Sequence, residues 1–355
     1  MSGHASGTPG RLPIFVDTDT GCDDAVALAW LLRRPEAEVV GLSSVFGNSS
    51  IQNTTANLLT VLEALDCDVP VTVGASGPLV YLRTGAGALT HGPDGLWGHQ
   101  RAHALDALLH GAPGAIAAAA RAHPGLTILA LGPLTNVARA VQAYPEEMAG
   151  VRLVALAGSR GVGNVTPAAE FNVFADPHAL AVVLESRMRV ELVSRDAFQD
   201  LRLGSLMARR LARECGPAGK LIGDILEDYA KAVSRTGGGV AVPDAVAAIY
   251  ALHPELGMAL PVTVRVVTEG ELTRGQTIVA TTPEHRATLA LGASGVEQLA
   301  AHVGAPGFDY ETALREAAAR APHNARVVVA IDVPAMSGLL EEGLMSLSLS
   351  RAVGG

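Results

Sequence analysis

From residue 12 to about residue 194, short apolar runs alternate with stretches of helical period, and this limits the possible folds more than any other feature. "LPIFVD", "EVVGLSSVFG", "VPVTVG", "LTILALGPL", "VRLVALAG" and "RVELVS" read as strands. Between them, "DDAVALAWLLRR", "IQNTTANLLTVLEAL", "APGAIAAAARAH", "TNVARAVQAYP" and "DPHALAVVLES" read as helices, with Pro145 expected to stop the fourth. Strands apolar on both faces need cover on both faces, and helices between them allow parallel pairing. The expected class is therefore α/β: an open, mostly parallel, Rossmann-like sheet flanked by helices. Residues 205–253 read as mostly helical. The stretch 261–280 reads as a small late hairpin, and "ARVVVAIDV" as a last strand before a final helix. No internal repeat or low-complexity linker divides the chain. We expect one domain over residues 12–355, an inserted helical segment at about 280–324, and a disordered Gly/Ser/Pro-rich stretch over 1–11.

Composition bounds the function classes. The chain has 355 residues, 49% of them hydrophobic, which is enough for a large core. Its formal net charge is −9 and no basic block is present, which argues against nucleic acid as partner. Three cysteines, none in a CxxC pair, fit a reducing compartment. The first residues carry no apolar core of a secretory signal, and no apolar run approaches the roughly 20 residues that span a bilayer. A soluble, cytoplasmic protein with no membrane partner is the expectation.

Open parallel sheets bind ligands beyond the carboxyl ends of their strands. In this chain those positions are rich in oxygen. After the first strand, "VDTDTGCDDAVAL" carries Asp17, Asp19, Asp23 and Asp24; after the second comes Asn48. After the fourth come Leu131 and Asn136, and after the fifth Asn164, Glu170 and Asn172. Asp244 follows later, in "VPDAVAAIY". Several carboxylates with carbonyls suit a hard cation such as Ca²⁺ or Mg²⁺, and not zinc, which takes Cys and His. Taken singly, each residue has a plainer reading: an Asp after a strand caps a helix, Asn164 supports a turn beside Gly163, and Glu170 and Asn172 start a helix. "DTDTG" by itself also resembles the first motif of the haloacid-dehalogenase phosphohydrolases.

Taken together, "VDTDTGCDDAVAL", "VFGNSS", "VPVTVGASGPL", "HGPDGLWG", "LALGPLTN", "GNVTPAAEFNVFADPHA" and "EGELTRGQT" resemble the inosine–uridine preferring nucleoside hydrolases, in the same order. The resemblance covers about residues 12–279 and 325–348. It implies a homodimer or homotetramer that cleaves the N-glycosidic bond of ribonucleosides. By this resemblance Asp19, Asp24, Asp244 and the main-chain carbonyl of Leu131 hold Ca²⁺, with Asp17 behind them. Asp23, Asn48, Asn164, Glu170 and Asn172 hold the ribose, and Asp19 is also the general base on a Ca²⁺-bound water. His91 matches another family histidine near the substrate. Trp97, His99, Tyr229, Lys231 and Arg235 lie in segments that can line the base pocket.

One position departs from the family pattern. Many members carry a histidine just before the last metal-binding aspartate, where it is thought to protonate the leaving base. Here that residue is Pro243, and a proline cannot donate a proton. The departure leaves three readings open: another donor activates the base, the substrate has a base that leaves without protonation, or the chain binds nucleosides without turning them over.

Overall fold

The computed structural model describes residues 10–81, 85, 87–233 and 239–348. Most of the stretch expected to be disordered lies outside these; Arg11 lies inside, and its guanidinium donates to the Ala37 carbonyl.

Ten strands form one sheet: β1 (Leu12–Thr18), β2 (Ala37–Ser44), β3 (Val71–Val73), β4 (Leu109–His110), β5 (Thr127–Ala130), β6 (Arg152–Leu156), β7 (Arg189–Val193), β10 (Gly257–Val266), β11 (Thr277–Ala280) and β12 (Ala325–Ile331). Their spatial order is β11-β10-β12-β7-β6-β5-β1-β2-β3-β4. Strands β8 (Arg202–Leu203) and β9 (Val240–Ala241) pair separately as a two-stranded antiparallel ribbon. Every pairing from β12 to β4 is parallel, and β10 runs antiparallel to both β12 and β11. The open parallel sheet with a late hairpin is the fold that the alternating pattern predicts. From β1 the chain builds outward to β2, β3 and β4, then returns to lay β5, β6 and β7 on the other side. The boundary between β1 and β5 is thus the point where strand order reverses, where α/β sheets open a crevice.

The sheet separates two apolar layers. Ile14 and Val16 of β1 pack into one, together with the helices Cys22–Leu31, Gly216–Val233, Pro243–Leu252 and Val333–Met345. Phe15 points into the other, with the helices Ala112–Ala122, Thr135–Ala143 and Pro177–Leu184. The helix Cys22–Leu31 is buried on every side. Its Trp30 indole N–H donates to the Leu339 carbonyl at 2.9 Å, which pins the C-terminal helix against it. The fourth helix stops ahead of Pro145 as expected, ending at Ala143, and Pro145 then opens a four-residue helix of its own, where a missing N–H costs nothing. Between β11 and β12 lie the helical stretch Pro283–Ala300, broken by a kink at Gly292, and the helix Tyr310–Ala319, which meet through Ala287, Ala317 and Ala318.

One polar device ties β6 and β7 to the helix Pro243–Leu252, which carries Asp244. Arg152 Nε and Nη2 donate to Glu191 at 3.1 and 3.2 Å, and the Tyr250 hydroxyl donates to Glu191 at 2.7 Å. Burial pushes the Glu191 carboxyl up, but these hydrogen bonds outweigh it and hold the group below its ordinary value of 4.5. A depressed carboxyl stabilises the fold above its ordinary pKa, and that stability is lost as pH falls through the folded value. Glu191→Gln is expected to cost about 1–3 kcal/mol near pH 7. The gap to wild type should close as pH falls below 4.5. Denaturant melts of both proteins at neutral and acid pH check it; a gap that does not change with pH would contradict the assignment.

Candidate active site

The crevice at the β1–β5 boundary is closed from below by main chain, with Leu131 N–H donating to the Asp17 carbonyl at 2.8 Å. The Asp17 side chain lies fully buried beneath the crevice. Its Oδ1 accepts from Ser43 Oγ at 2.5 Å and Asn136 Nδ2 at 2.8 Å. Asp19 stands above it, with Oδ2 accepting the Asn48 N–H at 2.7 Å. Gly47 leaves room for this: a Cβ there would come within 2.0 Å of Asp19 Oδ2.

Two helices deliver the remaining carboxylates. Asp23 and Asp24 lie in the first turn of Cys22–Leu31, and Asp244 in the first turn of Pro243–Leu252. Helix N-termini carry partial positive charge, so each end favours an anion. Asp24 is held on both oxygens: Oδ1 accepts from Thr18 Oγ1 at 2.5 Å, and Oδ2 from Gly21 N–H at 2.8 Å and Asn48 Nδ2 at 3.1 Å. Asp23, Asp24 and Asp244 each place one oxygen within 4.8 Å of the others, and all three are buried. Asp23 Oδ1 and Asp244 Oδ1 are buried without a hydrogen-bond partner. Unpartnered buried carboxylate oxygens of like charge, crowded this closely, fit a hard divalent cation.

A cavity of about 600 Å³ opens over this cluster. Asp19, Asp23, Asn48, His91, Leu131, Asn164, Glu170, Asn172 and Asp244 all line it. Of the residues singled out in the sequence for the site, Asp17, Asp24 and Asn136 do not; Asp17 and Asn136 are bonded to each other behind the wall, and Asp24 is engaged by its own hydrogen bonds. Three of the lining residues also serve the local fold, as their plainer readings implied. Glu170 caps the helix Phe171–Ala175, accepting from Gly158, Asn172 and Val173 N–H groups. Asn172 Nδ2 donates to the Leu131 and Leu156 carbonyls at 2.7 and 2.9 Å, and Asn164 Oδ1 accepts from Phe171 N–H at 2.9 Å. Each side chain is therefore fixed in orientation before any ligand arrives.

On the far side of the cavity His91 stacks on Tyr229, with ring centroids 5.5 Å apart and planes 19° from parallel. His91 Nδ1 accepts the Cys22 N–H at 3.1 Å, which leaves the ring proton on Nε2. Of the other residues considered for the base pocket, Trp97, His99 and Lys231 do not line the cavity, and Arg235 lies outside the described residues. Lys231 and His99 instead pair with Asp228. Sequence reasoning missed Phe198, Arg195 and Arg202, which do line the cavity. They lie in a four-residue helix and a two-residue strand, too short to show any periodicity.

Burial dominates the electrostatics. It raises Asp17, Asp23 and Asp24 from 3.8 to about 6. It raises Asp19 and Asp244 further, with neighbouring aspartates adding to the effect. Burial also lowers His91 to about 4, so its imidazole is neutral near pH 7.

The comparisons with known proteins agree with this geometry. Residues 14–337 match the family described as inosine-uridine preferring nucleoside hydrolase. The chain belongs to this family. It is an enzyme, a hydrolase acting on N-glycosyl bonds. It is 37% identical over 274 residues to the non-specific ribonucleoside hydrolase RihC of Escherichia coli O1:K1, covering 76% of this chain and 88% of the relative. It also resembles a solved inosine-guanosine nucleoside hydrolase, with 26% identity, a TM-score of 0.76, and 94% and 99% of the two chains covered. A purine-preferring ribonucleoside hydrolase from Gardnerella vaginalis shares the fold at a TM-score of 0.75 and 23% identity, over 95% of this chain and 99% of its own. The phosphohydrolase alternative falls with this assignment, and Asp17, buried and hydrogen-bonded behind the cavity wall, is no nucleophile. Among the described residues of this nucleoside hydrolase, no helix is long and apolar enough to cross a membrane.

The carboxylate cluster makes a stability prediction. Because the folded values of Asp17, Asp23 and Asp24 lie near 6 and their ordinary value is 3.8, the metal-free fold binds more protons than the unfolded chain in that window. Its stability should therefore fall as pH rises from about 4 to 6. A divalent cation should restore it, by about 2.7 kcal/mol at a hundredfold excess over Kd. Thermal melts in chelator and in Ca²⁺ check this. The expected result is a larger cation-induced rise in Tm at neutral pH than at pH 5; no rise at either pH would remove the cluster as a cation site.

Proposed function

We propose that this nucleoside hydrolase cleaves ribonucleosides to ribose and free base with the help of one Ca²⁺. The observation that carries the reading is the trio of buried carboxylates with two unpartnered oxygens, set in the floor of a cavity lined by sugar-binding groups. In this reading Asp19, Asp24, Asp244 and the Leu131 carbonyl hold the cation, and Asp17 supports them through the β1–β5 floor. Leu131 O accepts one bond from Asn172 and keeps a second lone pair. A cage built from carboxylates and a carbonyl suits Ca²⁺ better than Mg²⁺, which keeps most of its waters. When bound, the cation lowers the pKa of a water and gives the sugar hydroxyls a common anchor.

Asp23 belongs to the close trio, yet it faces the cavity while Asp24 does not. Asp19 and Asp244 face the cavity too, so lining does not sort the roles, and it is the family resemblance that assigns Asp23 to a ribose hydroxyl and Asp24 to the cation. Asn48, Asn164, Glu170 and Asn172 surround the same sugar. Cleavage passes through an oxocarbenium-like sugar, and hydrogen bonds to its hydroxyls strengthen as charge builds. Asp19 takes the proton from the attacking water, with its carboxylate aimed by the Asn48 N–H. Asp19→Ala should lower ribose release by at least about 10²–10⁴-fold and weaken Ca²⁺ binding together. Wild-type ribose release from this variant would refute the assignment.

Pro243 lines the cavity and supplies no proton, so turnover should depend on how readily the base leaves. The rate with p-nitrophenyl riboside is expected to exceed that with inosine, measured as kcat/KM side by side. The same observation bears on how fast the enzyme turns over nucleosides whose base leaves poorly. Nucleoside that binds, with no ribose released from either substrate, would contradict the proposed cleavage.

A further inference from the structure

The missing proton donor at Pro243 raises a question that the structure addresses: what stabilises the base as it leaves? Resting on the hydrolase reading above, we propose that Arg202 does, by hydrogen bonding to the departing base.

The ribbon of β8 and β9 places it there. Arg202 pairs with Ala241 across the ribbon, and Leu203 with Val240. Val242 N–H donates to the Leu201 carbonyl at 3.2 Å, so the ribbon runs directly into Pro243 and Asp244. Arg202, Ala241 and Pro243 line the same cavity. Arg202 is thereby paired with Ala241, two residues before the proline that opens the helix of Asp244. The other lining guanidinium, Arg195, is turned toward the loop of Asn164, where its Nη1 donates to the Val162 carbonyl at 3.2 Å. Arg202 Nη2 donates to the Gly239 carbonyl at 2.9 Å. That bond anchors one arm of the fork, and among the described residues no other hydrogen bond engages the remaining donors. Arg202 is exposed to solvent, so it stands where the cavity opens, a permanently charged and anchored donor that can meet negative charge developing on the base.

The step balances without a general acid. The C1′–N bond breaks and its electron pair moves into the base. The water oxygen bonds to C1′, and its proton goes to Asp19. Arg202 donates a hydrogen bond to the anionic base and keeps its proton. The base takes a proton from bulk water as it departs, and Asp19 returns its own to solvent.

Leaving-group dependence separates this role from a structural one. Arg202→Gln and Arg202→Lys are compared with wild type, using inosine and p-nitrophenyl riboside, with thermal midpoints recorded for each protein. Removing a donor to developing charge costs on the order of 10²-fold in kcat. Arg202→Gln should show that loss with inosine and stay within about threefold of wild type with p-nitrophenyl riboside, whose nitrophenolate needs no help. Arg202→Lys, which keeps the charge, should lie between. Equal losses on both substrates, or none on inosine, would overturn the proposal. So would a wild-type enzyme that cleaves only the activated riboside, which would still leave it a hydrolase. A wild type that cleaves neither would overturn the hydrolase reading instead.

Discussion

The structure depends on one costly arrangement: five aspartates, Asp17, Asp19, Asp23, Asp24 and Asp244, buried together. Burial alone would drive such carboxyls to protonate, and Asp17, Asp23 and Asp24 rise to about 6. Three features offset the cost. Two helix N-termini point their partial positive charge at the cluster. Donors from Thr18, Gly21, Ser43, Asn48 and Asn136 satisfy individual oxygens. Unpartnered oxygens remain on Asp17, Asp23 and Asp244, and the close cluster of Asp23, Asp24 and Asp244 is suited to a cation that would offset the remaining charge.

Holding that cluster requires a rigid frame, which the packing supplies. The helix carrying Asp23 and Asp24 is buried on every side, so it cannot tilt without disturbing both the sheet and the C-terminal helix. The helix carrying Asp244 is tied to β6 and β7 through Tyr250, Glu191 and Arg152. The sugar-facing side chains serve twice, as caps and loop anchors and as cavity lining. Their geometry is therefore part of the fold, and the site is preorganised in the sense that transition-state stabilisation needs.

The two halves of the cavity differ in kind. In the part that the proposed reading gives to the sugar, Asn48, Glu170 and Asn172 are buried and hydrogen-bonded in a fixed orientation. Another part of the wall, which the proposed reading gives to the base, is built from a stacked His91–Tyr229 pair, Phe198, Pro243 and the short ribbon that carries Arg202. In the proposed reading, ribose recognition is set by the scaffold, whereas base recognition rests on short loops and two-residue strands that can vary without disturbing the core.

Periodicity made the sheet legible. Ile14, Phe15 and Val16 alternate between two apolar layers, and only a strand buried on both faces demands such a run. The local motif was legible too, since Asp17, Asp19, Asp23 and Asp24 sit on one strand–turn–helix unit whose geometry is set within a few residues. The ribbon of β8 and β9 was not legible, because two residues carry no period. Nor was the role of Trp97 or Lys231, since a segment's proximity in sequence to a pocket says nothing about which face it turns inward. The meeting of Asp244 with Asp23 and Asp24, and of Arg202 with Pro243, was decided by the tertiary structure. These pairs are separated by scores of residues or by a register that only the folded chain defines, and local chemistry cannot specify which distant helix ends will converge.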